Sequence, residues 1–302
     1  MPTLRFALFG NVYQEEKSAA IRQVLAALLK RDAQITIDEA YYHFLMQMPG
    51  FPGGAESPEI PGRPVITTFS GNDYEADFVL SMGGDGTLLE TASRVGSKQT
   101  PILGVNMGRL GFLADAAAAD FEQTLDALYH DDFSLEDRAL IRVETNGEPI
   151  VGCACALNDV AILKRDTASM ISIKTSINGE FLTTYQADGL IVSTPTGSTA
   201  YSMSNGGPII VPRTGVLLMT AVAPHSLNVR PIVLPDSALI ELTVSSRSHT
   251  FLVAIDGRSC KMPEGTTLRL MRAPYVVKVV KRSGARYFST LREKLMWGAD
   301  VR

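Results

Sequence analysis

Cysteine is scarce in this chain: Cys153, Cys155 and Cys260 are the three among 302 residues. An odd number without a repeated pair spacing makes neither a disulfide framework nor a zinc site. Cys153 and Cys155 therefore read as small buried residues on one face of a strand. Histidine is sparse too, and His43, His130, His225 and His249 are scattered without H-E-x-x-H spacing, so no metal ligands are assigned. No apolar run reaches the roughly 18 residues a membrane helix needs. Met1-Pro2-Thr3-Leu4-Arg5 leads straight into a strand-like run and lacks a signal peptide's long apolar region. A cytoplasmic setting without a membrane partner is the expectation. Basic charge is in deficit, with 28 Lys+Arg against 32 Asp+Glu and a net charge of −4. That argues against nucleic-acid binding, which needs clustered positive charge. It leaves room for an anionic small molecule, because a local site can hold phosphates inside an acidic protein.

What is present is a globular composition, 45% hydrophobic and 20% charged. The length suits one large domain or two ordinary ones. The first part alternates element types. Leu4 to Phe9, Ile35 to Ile37, Phe78 to Met82 and Pro101 to Val105 read as strands. Ile21, Val24, Leu25, Leu28 and Leu29 follow helical spacing, as do Thr87 to Val95 and Phe121, Leu125 and Leu128. Such alternation is the mark of a parallel sheet with helices packed on it. Between Pro49 and Pro64, five prolines and four glycines predict a loop. From about Leu140 the chain becomes a series of short strand-like runs separated by turns such as Asn178-Gly179 and Asp256-Gly257. An all-β domain is the economical reading, with a last helix over Thr290 to Trp297.

Gly83-Gly84-Asp85-Gly86-Thr87 lies where a strand ends and a helix begins, the edge of open α/β sheets at which ligands bind. Glycines there let the backbone approach closely, and free N–H groups at the helix start face phosphate oxygens. Gly83, Gly84, Gly86 and Thr87 are the phosphate-binding candidates. Neither G-x-x-x-x-G-K-[ST] nor G-x-G-x-x-G is present. Asp85 is the odd member, since a carboxylate repels phosphates. It could accept a proton from an attacking hydroxyl, help hold Mg²⁺, or cap the following helix.

A second stretch runs from Asp188-Gly189 through Ser193-Thr194-Pro195-Thr196-Gly197-Ser198-Thr199-Ala200-Tyr201-Ser202 to Gly206-Gly207-Pro208. Small residues expose backbone N–H groups, hydroxyls can bond phosphate, ribose or base, and Tyr201 offers a face for stacking. An irregular β-domain loop would share this composition. The order of residues is more specific. The pentapeptide resembles the signature shared by NAD kinases, diacylglycerol and sphingosine kinases and, more loosely, phosphofructokinases. The second stretch is similar to the second NAD kinase signature nearly residue for residue. Further likenesses follow in order: Asn106-Met107-Gly108-Arg109-Leu110-Gly111-Phe112, Asn158-Asp159, Pro224-His225-Ser226-Leu227 with Arg230-Pro231, and Arg286-Tyr287-Phe288 leading to Trp297-Gly298.

The resemblance to the ATP-NAD kinase family implies an activity, ATP-dependent phosphorylation of the 2′-hydroxyl of the adenosine ribose of NAD, giving NADP. It implies that Asp85 is the catalytic proton acceptor, with Gly86 beside it. Asn158, Asp159 and Asp188 are implied as dinucleotide contacts. Thr199, Ala200, Tyr201, Ser202, Met203 and Ser204 form the implied nucleotide-binding loop, with Thr196 next to it. Gln186, Ala223 and Ser169 match positions that vary among members. ATP and NAD are the implied substrates, a divalent cation such as Mg²⁺ the implied cofactor, and a homodimer or homotetramer the implied assembly. The implied fold is an α/β domain with a Rossmann-like parallel sheet over 1–137, a β-rich domain over 138–284, and a tail over 285–302 returning to the first, α+β overall. In the family the active site lies between domains and often between subunits. A lipid kinase of the diacylglycerol or sphingosine type and a non-catalytic NAD(P) sensor are the alternatives. A dehydrogenase is disfavoured by the missing dinucleotide fingerprint.

Overall fold

The computed structural model describes residues 3–12, 18–48, 51, 66–108, 111–114, 116–165, 169–282, 284 and 287–296. Apart from Phe51, the predicted 49–64 loop lies outside the described residues, as do Arg109, Leu110, Arg286, Trp297 and Gly298. The chain divides into two compact units, Met1–Glu136 with Val277–Arg302, and Asp137–Val276.

The first unit starts with β1 (Arg5–Gly10), α1 (Ser18–Leu29), β2 (Gln34–Asp38), α2 (Glu39–Met46) and β3 (Ile66–Phe69). It continues with β4 (Phe78–Gly83), α3 (Asp85–Val95), β5 (Ile102–Asn106), the two-residue β6 (Ala116–Ala117) and α4 (Phe121–Tyr129). The strands lie in the order β3-β2-β1-β4-β5 and every pair is parallel. Central strands of a parallel sheet are covered on both faces, so they read as unbroken apolar runs. Accordingly, all residues of β4 and of β5 are buried. Ile21, Val24, Leu25 and Leu28 form the buried stripe of α1 and share one core with Phe6, Leu8, Ile35, Leu80, Phe121 and Leu125.

The second unit contains two antiparallel sheets. One has the order β14-β13-β12-β9-β16-β17. Its strands are β9 (Asp159–Lys164), β12 (Gly189–Ser193), β13 (Val216–Val222), β14 (Ile232–Pro235), β16 (Thr250–Ile255) and β17 (Arg258–Pro263). The other is built from β7 (Phe133–Thr145), β8 (Cys155–Ala156), β10 (Ile171–Ile177), β11 (Glu180–Ala187), β15 (Ile240–Ser245) and the start of β18 (Thr267–Arg282). The short α5 (Tyr201–Ser204) follows β12. Ile162, Leu190, Val192 and Val253 of the first sheet meet Ile141, Ile173, Leu242 and Leu270 of the second in one core. The hairpin corners are the two turns expected from sequence. Asn178 and Gly179 have φ of 51° and 83°, Asp256 and Gly257 of 46° and 80°, the doubly left-handed geometry of a type I′ turn. The far end of β18 belongs to the first unit, where Val279 pairs in parallel with Ile102 of β5, and α6 (Tyr287–Leu295) follows. An α/β sheet followed by an all-β region is thus the observed order. One expectation is corrected: Cys153 does not share a strand with Cys155. Gly152, at φ 84°, turns the chain just before it, and only Cys155 enters β8.

Candidate functional site

In the first unit the site grows from the junction of β4 and α3. A side chain at Gly83 would strike the Thr87 hydroxyl, since a Cβ there would lie 2.2 Å from Oγ1. Gly84 is the N-cap, with φ −104° and ψ −165°, and no side chain caps the helix. The first amides of α3 therefore lack intrahelical partners, and the positive end of the helix dipole faces the same way. The cradle suits an anion.

Asp85 does not cap its own helix. Its carboxylate accepts three amide hydrogens from one loop: Phe112 N on Oδ2 at 2.8 Å, and Leu113 N and Ala114 N on Oδ1 at 3.0 and 3.1 Å. An ionised carboxylate offers about four acceptor positions. Among the described residues Oδ1 accepts two and Oδ2 one, which leaves Oδ2 able to accept from one further donor such as a hydroxyl. Gly111 is required by this approach, because a Cβ there would sit 1.9 Å from Asp85 Oδ1. Asn106, at the end of β5, shapes the same loop. Its Oδ1 accepts from Gly108 N at 2.7 Å, and its Nδ2 donates to Ala114 O at 3.3 Å. Lys294 of α6 places its ammonium 5.6 Å from the Phe112 ring centroid, within cation–π range.

In the second unit Asn158 and Asp159 stand together with the turn that follows β12. Thr194 N donates to Asn158 O at 2.9 Å, and the Thr194 hydroxyl donates to Leu157 O at 2.6 Å. Gly197 lies flat on this backbone, since a Cβ there would be 2.1 Å from Asn158 O. Among the described residues the buried Oδ1 of Asn158 has no hydrogen-bond partner. Such an atom costs about 1–3 kcal/mol until a donor reaches it. Asp159 is 8% exposed. Burial, then the charge of Asp256, push its carboxyl up to about 7.

Asp256 organises this pair. From the left-handed corner of the β16–β17 hairpin its Oδ2 accepts from Leu157 N at 2.7 Å, and its Oδ1 accepts from Asn158 N at 2.8 Å and Asp159 N at 3.2 Å. Burial raises its own carboxyl and the three amides oppose that rise. Buried Arg138 donates to the Thr196 hydroxyl at 3.2 Å. Both line a cleft of about 220 Å³ that also has Arg213, Asp236 and Arg272 on its walls. In the loop after Thr196, Ser202 is buried against Thr220 through a 2.9 Å hydroxyl pair. Thr199, Ala200 and Met203 are half-buried, whereas Tyr201 and Ser204 are exposed.

Asp188 is not brought to this group. It precedes β12 whereas Thr196 follows it, and five strand residues at about 3.3 Å each put roughly 17 Å between the two ends. Around Asp188 lie Lys164, ion-paired to it at 2.7 Å, and Val222, whose carbonyl accepts from Asp188 N and which directly precedes Ala223. Ala223 holds φ at 43°. Gln186 is close in sequence, its carbonyl accepting from His225 N at 2.8 Å and its side chain from the Ser172 hydroxyl at 2.9 Å. Ser169 lies in the loop before β10, half-buried. Among the described residues no three His, Cys, Asp or Glu side chains converge as a metal site. No described helix is long and apolar enough to cross a membrane.

Asp256, Arg138, Thr194 and the amides of residues 112–114 were not singled out from sequence. Asp256-Gly257 was readable only as a hairpin turn, and backbone amides carry no residue signature.

Known proteins resemble the chain across both units. The ATP-NAD kinase N-terminal domain matches residues 6–133, and the ATP-NAD kinase C-terminal domain matches residues 157–282. An NAD kinase of Bacteroides fragilis is 49% identical over 299 residues, covering 99% of this chain and 100% of that protein. An NAD kinase of Porphyromonas gingivalis is 42% identical, covering 99% of both. Among solved structures, a yeast NADH kinase complexed with NADH superposes with a TM-score of 0.88 at 23% identity, over 100% of this chain and 90% of that one. Its identity is low enough that the likeness speaks for the fold alone. With both domain matches and full-length relatives in agreement, the chain belongs to the ATP-NAD kinase family.

Proposed function

We propose that Asp85 is the proton acceptor in the reaction this chain carries out as an NAD kinase, the ATP-dependent phosphorylation of NAD to NADP. A ribose hydroxyl is a weak nucleophile at neutral pH. Phosphoryl transfer therefore depends on positioning and on charge neutralisation more than on covalent chemistry. The observation that carries the reading is the Asp85 carboxylate itself, held by the amides of Phe112, Leu113 and Ala114 with one acceptor position of Oδ2 to spare. In this role it accepts a hydrogen bond from the adenosine-ribose 2′-hydroxyl and takes its proton as the new O–P bond forms. Gly83, Gly84, Gly86 and Thr87 supply the anion cradle for ATP phosphates. A divalent ion such as Mg²⁺, carried on the ATP phosphates that these residues hold, would neutralise the phosphate charge.

Asn158 and Asp159 take the dinucleotide. The orphaned Asn158 Oδ1 is an acceptor waiting for a hydroxyl or amide donor. Thr196 and residues 199–204 form the wall beside them. The distance along β12 between Asp188 and Thr196 supports a role for Asp188, Gln186 and Ala223 toward the nucleotide of a second copy, hence a homodimer or homotetramer. Three free thiols accord with a cytoplasmic setting.

The test is an assay of the purified protein with MgATP and NAD, coupled to an NADP-specific dehydrogenase, with NADH and polyphosphate arms defining acceptor and donor. Asp85→Asn is expected to bind NAD in calorimetry while turnover falls by about 10²–10⁴, the usual worth of a general base. Full turnover in that variant would remove Asp85 from the role. NAD binding by the unaltered chain without ATP turnover would instead identify a sensor.

A further inference from the structure

We infer that Cys153 and Cys155 are a reversible dithiol–disulfide pair whose oxidation displaces the adjoining Asn158–Asp159 segment and weakens dinucleotide binding. The two residues are separated by one alanine, and two residues of chain span at most about 7 Å, so their Cα atoms lie near the reach of a disulfide whatever the local backbone. The Cys153 side chain already reaches back over its partner, its thiol donating to the Cys155 carbonyl with Sγ 3.6 Å from the oxygen. Their surroundings differ in the way an attacking and a resolving thiol require. Cys153 is half-exposed and Cys155 is buried.

The hydrogen bond from Cys155 draws the Cys153 thiol down from its ordinary range, and the Arg258 guanidinium adds to this against the charge of Asp256. Cys155 moves up, through the same bond and through burial, with Tyr275 opposing. Thiolate character and access select the site of oxidation. The chain before the pair is free to adjust. Val151 is 93% exposed, and Gly152 sits at φ 84° with nothing within 4 Å of a notional Cβ. The chain after it is not free. Cys155 is paired with Arg142 in β8, its carbonyl accepts from Arg258 at 3.3 Å, and three residues on begins the Asn158–Asp159 pair that Asp256 clamps. Arg258 and Asp256 flank Gly257 in one hairpin, so a bond that pulls on Cys155 also pulls on the clamp.

With a hydroperoxide as oxidant the steps balance. The Cys153 thiolate attacks the O–O bond, forming an S–O bond and releasing hydroxide or alkoxide. The Cys155 sulfur then attacks the sulfenic sulfur; the S–S bond forms, the S–O bond breaks, and the departing hydroxyl takes the thiol proton as water. Two electrons pass from the thiols to the peroxide, and a low-molecular-weight dithiol returns them.

The inference rests on the dinucleotide role of Asn158–Asp159, so the experiment reads the two separately. The whole protein is titrated with hydrogen peroxide under non-denaturing conditions and its intact mass and NAD kinetics are followed. Expected are a loss of two hydrogens localised to the peptide holding both cysteines and a KM for NAD raised about tenfold or more. Ångström-scale misplacement in a site costs up to about 10²-fold. Dithiothreitol should restore both. Cys153→Ser and Cys155→Ser should keep the reduced protein's kinetics under peroxide, and Cys260→Ser should remain sensitive. Over-oxidation without a disulfide, or a disulfide with unchanged KM, would overturn the inference. Reduced Asn158→Ala reports on the site alone, and an unchanged KM there would remove the premise without touching the thiol chemistry.

Discussion

Replacing Asp159 by asparagine should stabilise the protein at neutral pH while damaging its site. Burial and the neighbouring Asp256 raise the Asp159 carboxyl from 3.8 to about 7. A carboxyl raised in the folded state is protonated there while its unfolded counterpart is ionised. Between those two values the folded chain therefore binds the extra proton, and stability falls as pH rises. The slope is about 1.4 kcal/mol per pH unit. Stability is lost from about pH 4 upward and levels off above about pH 7. Between pH 5 and pH 7.5 the difference comes to roughly 2–3 kcal/mol. An amide of the same shape has no such dependence. Urea unfolding of the parent and Asp159→Asn at the two pH values should show the variant gaining about that amount on the parent at the higher pH. The parent's NAD KM should fall over the same interval as Asp159, proposed to meet the dinucleotide, gains its charge, whereas the variant's should show no such change. An equal stability difference at both pH values would refute the assignment of a buried, proton-binding carboxyl to this position.

Two other substitutions probe the clamps. Gly111→Ala places a methyl on Asp85 Oδ1 at 1.9 Å and must move either the loop or the carboxylate; turnover should fall by about 10²-fold, as expected for an ångström of misplacement, with little change in melting temperature, and unaltered kcat would show that the loop yields freely. Asp256→Asn keeps the shape and tolerates the φ of 46°, but it turns one acceptor into a donor facing an amide. The loss of about 1.5–3 kcal/mol of charge-assisted bonding, offset by relief of the repulsion on Asp159, should appear in NAD titration as weaker binding at near-constant kcat; unchanged affinity would make the clamp dispensable.

The parts of the fold legible in the sequence are those whose burial is regular. The apolar run Phe78 to Met82 and the helical spacing from Ile21 to Leu29 announce β4 and α1 because the core covers them continuously. The edge strand β11 was not legible: of Glu180–Ala187 only Tyr185 and Ala187 are buried, and the adjacent apolar Phe181 and Leu182 are both exposed, so apolar residues do not alternate along its length. Helix α2 escaped notice although its start is written in Asp38, whose side chain accepts from Tyr41 N at 3.4 Å. At the site, the Gly-Gly-Asp-Gly-Thr turn was readable since glycines and one acid at a strand–helix edge have few uses. The partners of that acid were not. Residues 112–114 lie 27 to 29 positions away and contribute only amides. Asp256 lies 97 to 99 positions from the amides it holds, and Asp-Gly at a hairpin corner has a sufficient local reason to exist.

Both clamps answer the same physical difficulty. A loop that must approach phosphates or sugars with its backbone is rich in glycine, and glycines bring no side chain to pack. Around Asp85 the loop carries Gly108 and Gly111; beside Asn158 the neighbouring turn carries Gly197, pressed against the Asn158 carbonyl. Packing cannot fix such segments, and their amides must still be satisfied. A single carboxylate can take three N–H groups at once and impose position and orientation together, which no apolar contact of equal size does. The energetics separate the two uses. Asp256 spends its acceptors on the amides of residues 157–159 while repelling the Asp159 carboxylate among them, so the clamp holds a proton-binding group beside an orphaned amide oxygen. Asp85 likewise accepts three amides, two on Oδ1 and one on Oδ2, but it opens α3 at the glycine-rich anion cradle. That difference in setting, an anion cradle at a helix start in one case and a neighbouring acid with an orphaned amide oxygen in the other, is what separates the group proposed to take a proton from the one that positions the proposed ligand contacts.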